Sequence, residues 1–404
     1  MKAVMYGGGN IGRGFIGALL SKSGYEVTFI DVVESVVTEL STRHCYPLRF
    51  VSNEGFEDVT VTGVTAVNGN DTSAAATAIA SCDIMATAVG ARILKFIVPN
   101  IVAGLRKRWS EGCAPLNIII CENLNDANKI VEKMIKEQLT QEEIAIFDEK
   151  VGLVEASIGR MVPVQTEEMK DGEPLRVCVE RYGSLPVDKA AFKGEIPQIA
   201  GMVPFEPFDF FIKRKLFIHN MGHATSAYLG GLMGCEYIYQ AIDNADIRVI
   251  TQNAMLESAH ALAKHYGVAL EAIQMHITDL LGRFTNAALK DTCARVGGDP
   301  ARKISPSDRL IGSSALALAE GVTPAYIAVG AAAGLKRLID ETEGTTQGPD
   351  TAGKMLCEVS SLDADSPLTS LILRYYGMII GGCSIADLRR EADTVKAASL
   401  HDII

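Results

Sequence analysis

The fold of this chain is decided near its start, in the stretch Lys2-Ala3-Val4-Met5-Tyr6-Gly7-Gly8-Gly9-Asn10-Ile11-Gly12. The apolar run Lys2–Tyr6 predicts a short buried strand, and residues 12–23 have the pattern of a helix. Between them, Gly7 allows a tight turn, Gly9 lets the backbone approach a pyrophosphate, and Gly12 lets the helix pack closely on the strand. Asn10 and Ile11 stand at the helix N-terminus, where free N–H groups attract phosphate. The stretch predicts a dinucleotide-binding turn.

A carboxylate after the second predicted strand indicates which dinucleotide is bound. The run Glu26–Asp31 predicts that strand, and Asp31 lies 19 residues after Gly12. A carboxylate at this place accepts both ribose hydroxyls of NAD, and residues 32–34 contain no Arg or Lys to hold a 2′-phosphate. The pattern predicts NAD rather than NADP. A structural glycine turn followed by an incidental Asp is the alternative.

Further strand-like runs alternate with helical patterns and extend the predicted sheet. The strand-like runs are residues 83–89, 116–121 and 153–158, and the helical patterns between them are residues 93–109 and 125–138. This alternation implies right-handed crossovers and a mainly parallel, doubly wound sheet. Ligands bind beyond the carboxyl ends of such strands. Four residues at or just after the carboxyl ends of these runs are therefore expected to border the cofactor, unless they form ordinary loop turns: Thr87, Ala88, Val89 and Glu122.

A change of pattern marks the predicted domain boundary. Pro186, Pro197, Pro204 and Pro207 punctuate a stretch without a clear period, and residues 175–182 before it alternate as an edge or antiparallel strand would. Helical runs follow at residues 208–229, 237–243, 246–265, 270–283, 308–320, 324–339, 367–376 and 385–396, with a polar surface loop predicted at 341–353. We predict an α/β fold with a Rossmann-like doubly wound domain over residues 1–195 and an all-α domain over residues 196–404.

Composition limits the classes of protein to consider. The 404 residues include 38 Lys and Arg against 49 Asp and Glu, a net charge of −11 that disfavours nucleic acid and anionic membrane surfaces as partners. Nine cysteines without a CxxC pair predict reduced thiols rather than a disulfide framework or a zinc ribbon. The chain enters its glycine turn directly after Tyr6 and has no run of about 18 apolar residues. These features predict a cytoplasmic protein.

Chemically active side chains gather on the first long helix of the second domain. At about 100° per residue, Lys215, Asn220 and His223 fall within an arc of about 140°. A partly desolvated Lys215 acts as a general base, Asn220 donates to an oxygen that gains charge, and His223 orients a substrate hydroxyl. His219 and His223 form an alternative zinc pair, but neither an HExxH motif nor a nearby third ligand accompanies them, so we predict no metal. His219 is otherwise expected to be a buried core histidine.

These residues resemble a family signature. The pattern K-x4-N-x2-H, followed by Ala227-Tyr228-Leu229-Gly230, is similar to that of the polyol-specific long-chain dehydrogenases. Supporting stretches are Gly9-Asn10-Ile11-Gly12-Arg13-Gly14-Phe15-Ile16-Gly17, Thr87-Ala88-Val89-Gly90, Cys121-Glu122-Asn123, Leu281-Gly282-Arg283-Phe284 and Arg302-Lys303-Ile304-Ser305. The resemblance implies metal-independent hydride transfer between NAD and a sugar alcohol. It also implies that Lys215 takes the hydroxyl proton, that Asn220 and Asn123 bind the developing alkoxide, and that His223 holds the substrate.

One of the departures from the family pattern bears on the catalytic centre. Where the family usually has Asp-Arg, this chain has Gly159-Arg160, which removes a carboxylate expected near the catalytic centre. The loss leaves open a non-catalytic protein that senses NAD and a sugar phosphate.

A basic segment is the candidate phosphate site. Residues 283–309 hold six cations and three anions, a net charge of +3 in a chain whose total is −11. Arg binds phosphate through a bidentate fork and Lys as a point charge, so the candidates are Arg283, Arg295, Lys303 and Arg309; a solvated basic face is the alternative. With the resemblance, this segment implies the interconversion of mannitol 1-phosphate and fructose 6-phosphate. The protein is expected to be a monomer or small homo-oligomer. The same chemistry on an unphosphorylated polyol or a hexonate stays open.

Overall fold

The computed structural model describes residues 1–124 and 126–400, and it divides into two compact units. The first is Met1–Asp209, and the second begins at Phe210. The division therefore falls later than the boundary expected after residue 195. Strand Met202–Phe205 pairs in parallel with strand Leu185–Asp188, and this pairing keeps the intervening segment with the first unit.

The strands of the first unit fix its architecture. In chain order they are β1 (Lys2–Tyr6), β2 (Glu26–Asp31), β3 (Cys45–Ser52), β4 (Gly55–Thr62), β5 (Val64–Asn68), β6 (Ile84–Thr87), β7 (Leu116–Ile120), β8 (Val151–Glu155), β9 (Val177–Val179), β10 (Leu185–Asp188) and β11 (Met202–Phe205). Over the described residues, six of them form a parallel sheet in the order β5-β2-β1-β6-β7-β8. This is the strand order of the Rossmann fold, with the direction of winding reversed between β1 and β6. The predicted doubly wound sheet is confirmed.

The central strand β1 is buried on both faces. Ala3 and Met5 pack into one hydrophobic core, and Val4 and Tyr6 pack into the core on the opposite face. Successive side chains of a strand point to opposite faces, so an unbroken apolar run suits a sheet that is covered on both sides.

Helices cover this sheet. Residues 10–22 form one helix, in which the π-helical turn Gly12–Ile16 precedes α1 (Gly17–Lys22). The later helices of the unit are α2 (Glu34–Arg43), α3 (Thr72–Ser81), α4 (Leu94–Ser110), α5 (Ala127–Lys136), α6 (Gln141–Lys150) and α7 (Glu167–Lys170). The helices predicted at 93–109 and 125–138 correspond to α4 and α5. The first residue of the latter prediction, Asn125, lies outside the described residues.

The expectation of an edge or antiparallel strand at residues 175–182 is confirmed for its edge position, but the strand is shorter than expected and its pairing is not antiparallel. The strand is β9, only Val177–Val179, and it pairs in parallel with β3 in a small sheet ordered β4-β3-β9. Sequence analysis misses the antiparallel hairpin of β3 and β4 that provides this partner, because β4 is mostly exposed and lacks a clear apolar face. The pairing of β9 with β3 joins residues that are far apart in the chain, so no local sequence pattern indicates it.

The second unit is helical. After α8 (Asp209–Arg214), which straddles the division, its helices are α9 (Met221–Leu232), α10 (Ile238–Asp243), α11 (Ala245–Tyr266), α12 (Leu270–Phe284), α13 (Cys293–Val296), α14 (Pro300–Lys303), α15 (Ile311–Ala319), α16 (Ala325–Glu343), α17 (Pro349–Ser360), α18 (Pro367–Ile380) and α19 (Ile385–Leu400). The all-α character predicted for this part of the chain is confirmed. The loop predicted at 341–353 is shorter, because α16 continues to Glu343 and α17 already begins at Pro349, a residue suited to the first helical turn. None of the described helices combines the length and the apolar character that crossing a membrane requires.

Candidate active site

The glycine turn lies at the carboxyl end of β1, as the sequence predicts. Gly7 has a φ of +100°, and a Cβ there would lie 2.5 Å from the carbonyl oxygen of Ala88 in the loop after β6. A Cβ on Gly12 would lie 1.9 Å from the carbonyl oxygen of Gly7. Gly9 differs, since nothing lies within 4 Å of a Cβ built on it, and both Gly9 and Asn10 are exposed. Gly7 and Gly12 thus allow the close contacts of the turn, whereas the backbone at Gly9 is exposed to solvent.

Asp31 is fixed by the backbone around it. Its Oδ2 accepts the N–H of Gly8 at 2.6 Å, and its Oδ1 accepts the N–H of Val33 at 2.9 Å. A carboxylate oxygen has room for more than one donor, so both oxygens keep lone pairs for further hydroxyl groups. The described surroundings therefore fit the ribose of a dinucleotide, with the exposed Gly9 beside it for the pyrophosphate.

Glu122 joins the loops that follow two neighbouring strands. Its nearly buried carboxylate accepts the N–H of Val89 at 3.0 Å and the N–H of Gly90 at 2.7 Å. Thr87 is wholly buried, whereas Ala88 and Val89 are half-buried. The structure therefore places Glu122 as the support of the loop after β6, and it places the side chain of Thr87 inside the sheet rather than at a ligand surface.

Arg13 is a buried residue of the turn that sequence analysis did not single out. Its Nε donates to the carbonyl oxygen of Gly8 at 2.6 Å, and its Nη1 donates to the carbonyl oxygen of Leu175 at 2.5 Å. Burial lowers the pKa of Arg13 from its ordinary value. The guanidinium ties the glycine turn to a distant segment, a link that leaves no trace in local sequence spacing.

In the second unit, the helix that carries Lys215, Asn220 and His223 is not a regular α-helix. Residues Lys215–Asn220 form a π-helical segment between α8 and α9. The hydrogen bonds of a π-helix join residues five apart, which brings Lys215 and Asn220 closer to one face than the 140° arc of a regular helix allows. Short π segments of this kind are frequent at functional sites.

Lys215 has the electrostatic surroundings of a general base. Burial, together with the guanidinium of Arg309, lowers the pKa of Lys215 to about 8. The pKa of Lys215 is lowered for the reason expected from the sequence, because the lysine is desolvated and lies near another positive charge. Arg309 is the specific neighbour that the sequence alone did not identify.

His219 is a buried histidine surrounded by cations. Burial lowers its pKa well below the usual value, and the charges of Arg283, His223, Lys215 and His276 act in the same direction. Across residues 1–124 and 126–400, His, Cys, Asp and Glu side chains form no group of three or more with the geometry of a metal site.

His223 is held by two residues from other parts of the unit. Its Nε2 lies 3.0 Å from Oδ2 of Asp291, and its ring stacks on Phe284 with centroids 4.7 Å apart. Burial opposes ionisation of Asp291, but contact with His223 and Arg295 holds the pKa of this carboxyl below its ordinary value. Sequence analysis counted Asp291 only as a charge, because its contact with His223 spans 68 residues.

The predicted phosphate residues divide by their partners. Arg295 is exposed and forms an ion pair with Asp291. Nη1 of Arg283 lies 3.4 Å from Oδ2 of Asp279. Nε of Arg309 donates to Oδ1 of Asp308 at 2.8 Å, and Oδ2 of the same carboxylate accepts Nη1 of Arg302 at 3.0 Å.

Lys303 is the exception in this group. It is 5% exposed, and its ammonium has no hydrogen bond or ion pair within the described parts of the chain. Burial lowers the pKa of Lys303 to about 8, with Arg309 and Arg302 adding to the effect. Lys215 and Lys303 therefore share Arg309 as a cationic neighbour.

Two further sequence predictions fall on the first unit. Asn123 is exposed just beyond the carboxyl end of β7. A Cβ on Gly159 would lie 3.0 Å from the ring of Tyr182, so a side chain at this position would require that ring to shift.

A Rossmann unit with a nucleotide-type glycine turn, together with a helical unit that carries a half-buried lysine of lowered pKa, has the features of a two-domain dehydrogenase. The family models for the mannitol dehydrogenase Rossmann domain and the mannitol dehydrogenase C-terminal domain match residues 1–201 and 208–370. The chain belongs to the mannitol dehydrogenase family. This confirms the predicted family and fold, and it makes the chain a polyol dehydrogenase. A Rossmann domain binds a dinucleotide, in agreement with the NAD expected from Asp31.

Solved structures share this fold at low sequence identity. Mannitol 2-dehydrogenase of Pseudomonas fluorescens, in a ternary complex with NAD and D-mannitol, has a TM-score of 0.72 at 15% identity, covering 98% of this chain and 94% of its own. A substrate-free D-sorbitol dehydrogenase has a TM-score of 0.73 at 16% identity, with 98% and 92% covered. At such identities the likeness establishes the fold.

Proposed function

We propose that the chain is an NAD-dependent oxidoreductase that interconverts mannitol 1-phosphate and fructose 6-phosphate, the activity of a mannitol-1-phosphate 5-dehydrogenase, with Lys215 as general base. The family assignment supports the reaction class and disfavours a non-catalytic sensor. The observation that carries the phosphate is Lys303, a residue that is only 5% exposed and whose ammonium makes no hydrogen bond or ion pair with the described residues.

The first unit provides the cofactor site in this proposal. The exposed backbone at Gly9 and Asn10 takes the pyrophosphate, and Asp31 accepts the ribose hydroxyls. Glu122 supports the loop that borders the cofactor by holding the N–H groups of Val89 and Gly90. When bound, NAD supplies the carbon that accepts a hydride from the polyol. The nicotinamide chemistry belongs to the cofactor, and the protein positions it.

The second unit provides the proton chemistry. Neutral Lys215 takes the proton of the hydroxyl that becomes a carbonyl, and its pKa of about 8 keeps a fraction neutral near physiological pH. Asn220, at the other end of the π segment, donates to the oxygen that gains charge. His223, fixed by Asp291 and Phe284, holds another hydroxyl of the substrate. Asn123 is proposed as a second donor to the developing alkoxide.

Lys303 provides the specificity for an anion. An ammonium removed from water without a counter-ion is costly, and a bound phosphate supplies the missing charge. Arg309 lies nearby but already contacts Asp308, and Arg295 already contacts Asp291. Among the four predicted phosphate residues, Lys303 is therefore the one whose charge an anionic ligand would neutralise. Arg283, Arg295 and Arg309 add to the local positive potential.

The test is the KM of the variant Lys303→Met with phosphorylated and free substrates. We expect KM for mannitol 1-phosphate to rise about ten-fold or more, as for a lost charge-assisted contact, with kcat changed much less. The matched control is Lys336→Met, which removes a lysine paired with Asp340 in the same unit. An unchanged KM for mannitol 1-phosphate in the Lys303 variant contradicts the phosphate assignment.

A hexonate is the second candidate substrate. A single uncompensated ammonium matches the single charge of a carboxylate as readily as that of a phosphate ester. In that case the Lys303 variant loses affinity for the hexonate, and mannitol 1-phosphate is turned over no better than mannitol.

A further inference from the structure

Two cysteines of the second unit lie on either side of one glycine. A Cβ built on Gly230, near the end of α9, would lie 3.0 Å from Sγ of Cys293 and 3.5 Å from Cβ of Cys235. Those two atoms are therefore no further apart than the sum of these distances. Both cysteines are free thiols.

The backbone holds the two segments together. Tyr237 and Thr292 form an isolated antiparallel bridge, the N–H of Cys293 donates to the carbonyl oxygen of Glu236 at 2.9 Å, and the N–H of Ile238 donates to the carbonyl oxygen of Asp291 at 2.9 Å. Cys293 directly follows Thr292, and Cys235 lies two residues before Tyr237. This arrangement keeps the thiols near each other without a covalent link.

The two thiols differ in accessibility. Cys235 is half-buried, whereas Cys293 is buried, and burial raises the pKa of the Cys293 thiol to about 12, with Cys235 and Asp291 adding to the rise. The more exposed thiol is the one that an oxidant in solution reaches first, and the buried thiol, with its raised pKa, reacts more slowly in the second step.

Cys293 belongs to a segment that carries proposed site residues. Asp291, two residues before it, contacts Nε2 of His223, and Arg295, two residues after it, contacts the same carboxylate. A covalent bond at Cys293 would therefore act on the residue that fixes His223.

We propose that Cys235 and Cys293 form a dithiol–disulfide pair whose oxidation weakens substrate binding in the second unit; the effect on the substrate rests on the proposed function. The oxidant is a low-molecular-weight disulfide such as oxidised glutathione. The Cys235 thiolate attacks it, forms a mixed disulfide and releases one thiol. Cys293 then loses its proton and attacks Sγ of Cys235, which releases the second thiol. Two protein thiols are oxidised, and the disulfide of the oxidant is reduced to two thiols.

The bond itself is tested by tryptic mass spectrometry of the full-length protein treated with oxidised glutathione. Cleavage after Lys215, Arg248, Lys290 and Arg295 places Cys235 in the peptide 216–248 and Cys293 in the peptide 291–295, each with a single cysteine. We expect a linked pair of these peptides that disappears with dithiothreitol and is absent from Cys235→Ser and Cys293→Ala. Glutathione retained on Cys235 without the linked pair overturns the proposal.

The consequence is tested by kinetics on the same samples. Oxidation is expected to raise KM for the polyol substrate about ten-fold, because small displacements of positioning residues cost this much or more, while NADH binding stays unchanged. Dithiothreitol is expected to restore the original KM. Oxidation should leave KM unchanged in Cys235→Ser and Cys293→Ala, whereas it should raise KM in the control Cys357→Ser as it does in the wild type. If the disulfide-linked peptides form but KM for the polyol does not change, the proposed effect of oxidation on substrate binding is overturned. If the reduced enzyme turns over no polyol, the proposed function fails, while the peptide result still decides whether the bond forms.

Discussion

Nε2 of His223 lies 3.0 Å from Oδ2 of Asp291, a contact between the first long helix and the segment before α13. The imidazole also stacks on Phe284, so its position is set on two sides. A histidine fixed in this way presents its other ring nitrogen in one direction, and the partner of one nitrogen decides the protonation of the other.

The substitution Asp291→Asn tests this arrangement. It removes the negative partner of His223 and of Arg295, so we expect KM for the polyol to rise about ten-fold or more through misplacement of the imidazole. Fluorescence titration should show unchanged NADH binding, because the cofactor site lies in the first unit. Asp340→Asn, at a surface pair with Lys336, is the control. Wild-type KM in Asp291→Asn contradicts a positioning role.

The pH dependence of polyol oxidation follows the protonation of Lys215. Only the neutral amine accepts a proton, so kcat for oxidation should rise with pH and level off above about 8, the lowered pKa of Lys215. Ketone reduction needs the protonated lysine, so its kcat should fall over the same range. Stopped-flow or steady-state NADH absorbance in both directions measures these profiles, and a kcat for oxidation that is flat from pH 6 to pH 9, roughly, contradicts the assignment.

Removal of the base gives an independent check. Lys215→Met should lower kcat about 10²- to 10⁴-fold, the usual contribution of general base catalysis. NADH binding should persist, because the variant leaves the first unit intact. A variant that retains more than about a tenth of wild-type turnover shows that another group takes the proton.

The preference for NAD is expected to depend on Asp31. Its carboxylate repels a 2′-phosphate, so Asp31→Ser should raise the ratio of kcat/KM for NADP to that for NAD roughly ten-fold. The serine also gives up the contact with the N–H of Gly8, so weaker binding of both cofactors should accompany the change. Glu34→Gln, a neighbouring carboxylate bound to Asn68, is the control. If the ratio of kcat/KM for NADP to that for NAD rises equally in both variants, the role assigned to Asp31 is contradicted.

Glu257 links pH to the stability of the second unit. Its buried carboxylate accepts the N–H groups of Ala325, Tyr326 and Ile327 at the start of α16 and contacts Lys396 at 3.2 Å. Burial raises the pKa of Glu257 from 4.5 to about 7. The folded state therefore binds this proton more tightly, and the free energy of opening should fall as pH rises from about 4.5 to about 7, by on the order of 1 kcal/mol per pH unit.

Hydrogen exchange of the amides at residues 325–327, corrected for the intrinsic rate, measures this opening directly. Glu257→Gln should remove the slope, and Glu341→Gln at an exposed pair with Arg337 should keep it. A slope that survives in Glu257→Gln assigns the pH dependence to another group.

The sequence predicts those parts of the molecule in which neighbours in the chain decide the structure. Strands Lys2–Tyr6 and Glu26–Asp31 are predicted with the bounds observed, because buried parallel strands are short apolar runs with clear ends. The glycine turn is predictable for the same reason, since φ > 0 and close packing at Gly7 and Gly12 exclude most other residues. These local rules were sufficient for the first two strands and the glycine turn of the cofactor domain.

The remaining features depend on contacts between distant residues. The π segment at Lys215 has no sequence signal, so the regular helix assumed from spacing overestimates the angle between Lys215 and Asn220. The contact of Asp291 with His223 and the shared influence of Arg309 on Lys215 and Lys303 arise only when helices pack. Spacing selected the candidate catalytic residues, but Arg309, which lowers the pKa of Lys215, and Asp291, which orients His223, became apparent only from the three-dimensional structure.

The central claim is that this family member acts on a polyol phosphate through Lys215 and Lys303. The most direct test measures NADH formation by the wild-type protein, comparing kcat/KM for mannitol 1-phosphate with kcat/KM for mannitol and for hexonates. The account predicts a preference for mannitol 1-phosphate of about 10²-fold or more, the scale of a lost charge-assisted contact to an ammonium group. An equal or higher kcat/KM for mannitol or a hexonate would contradict it.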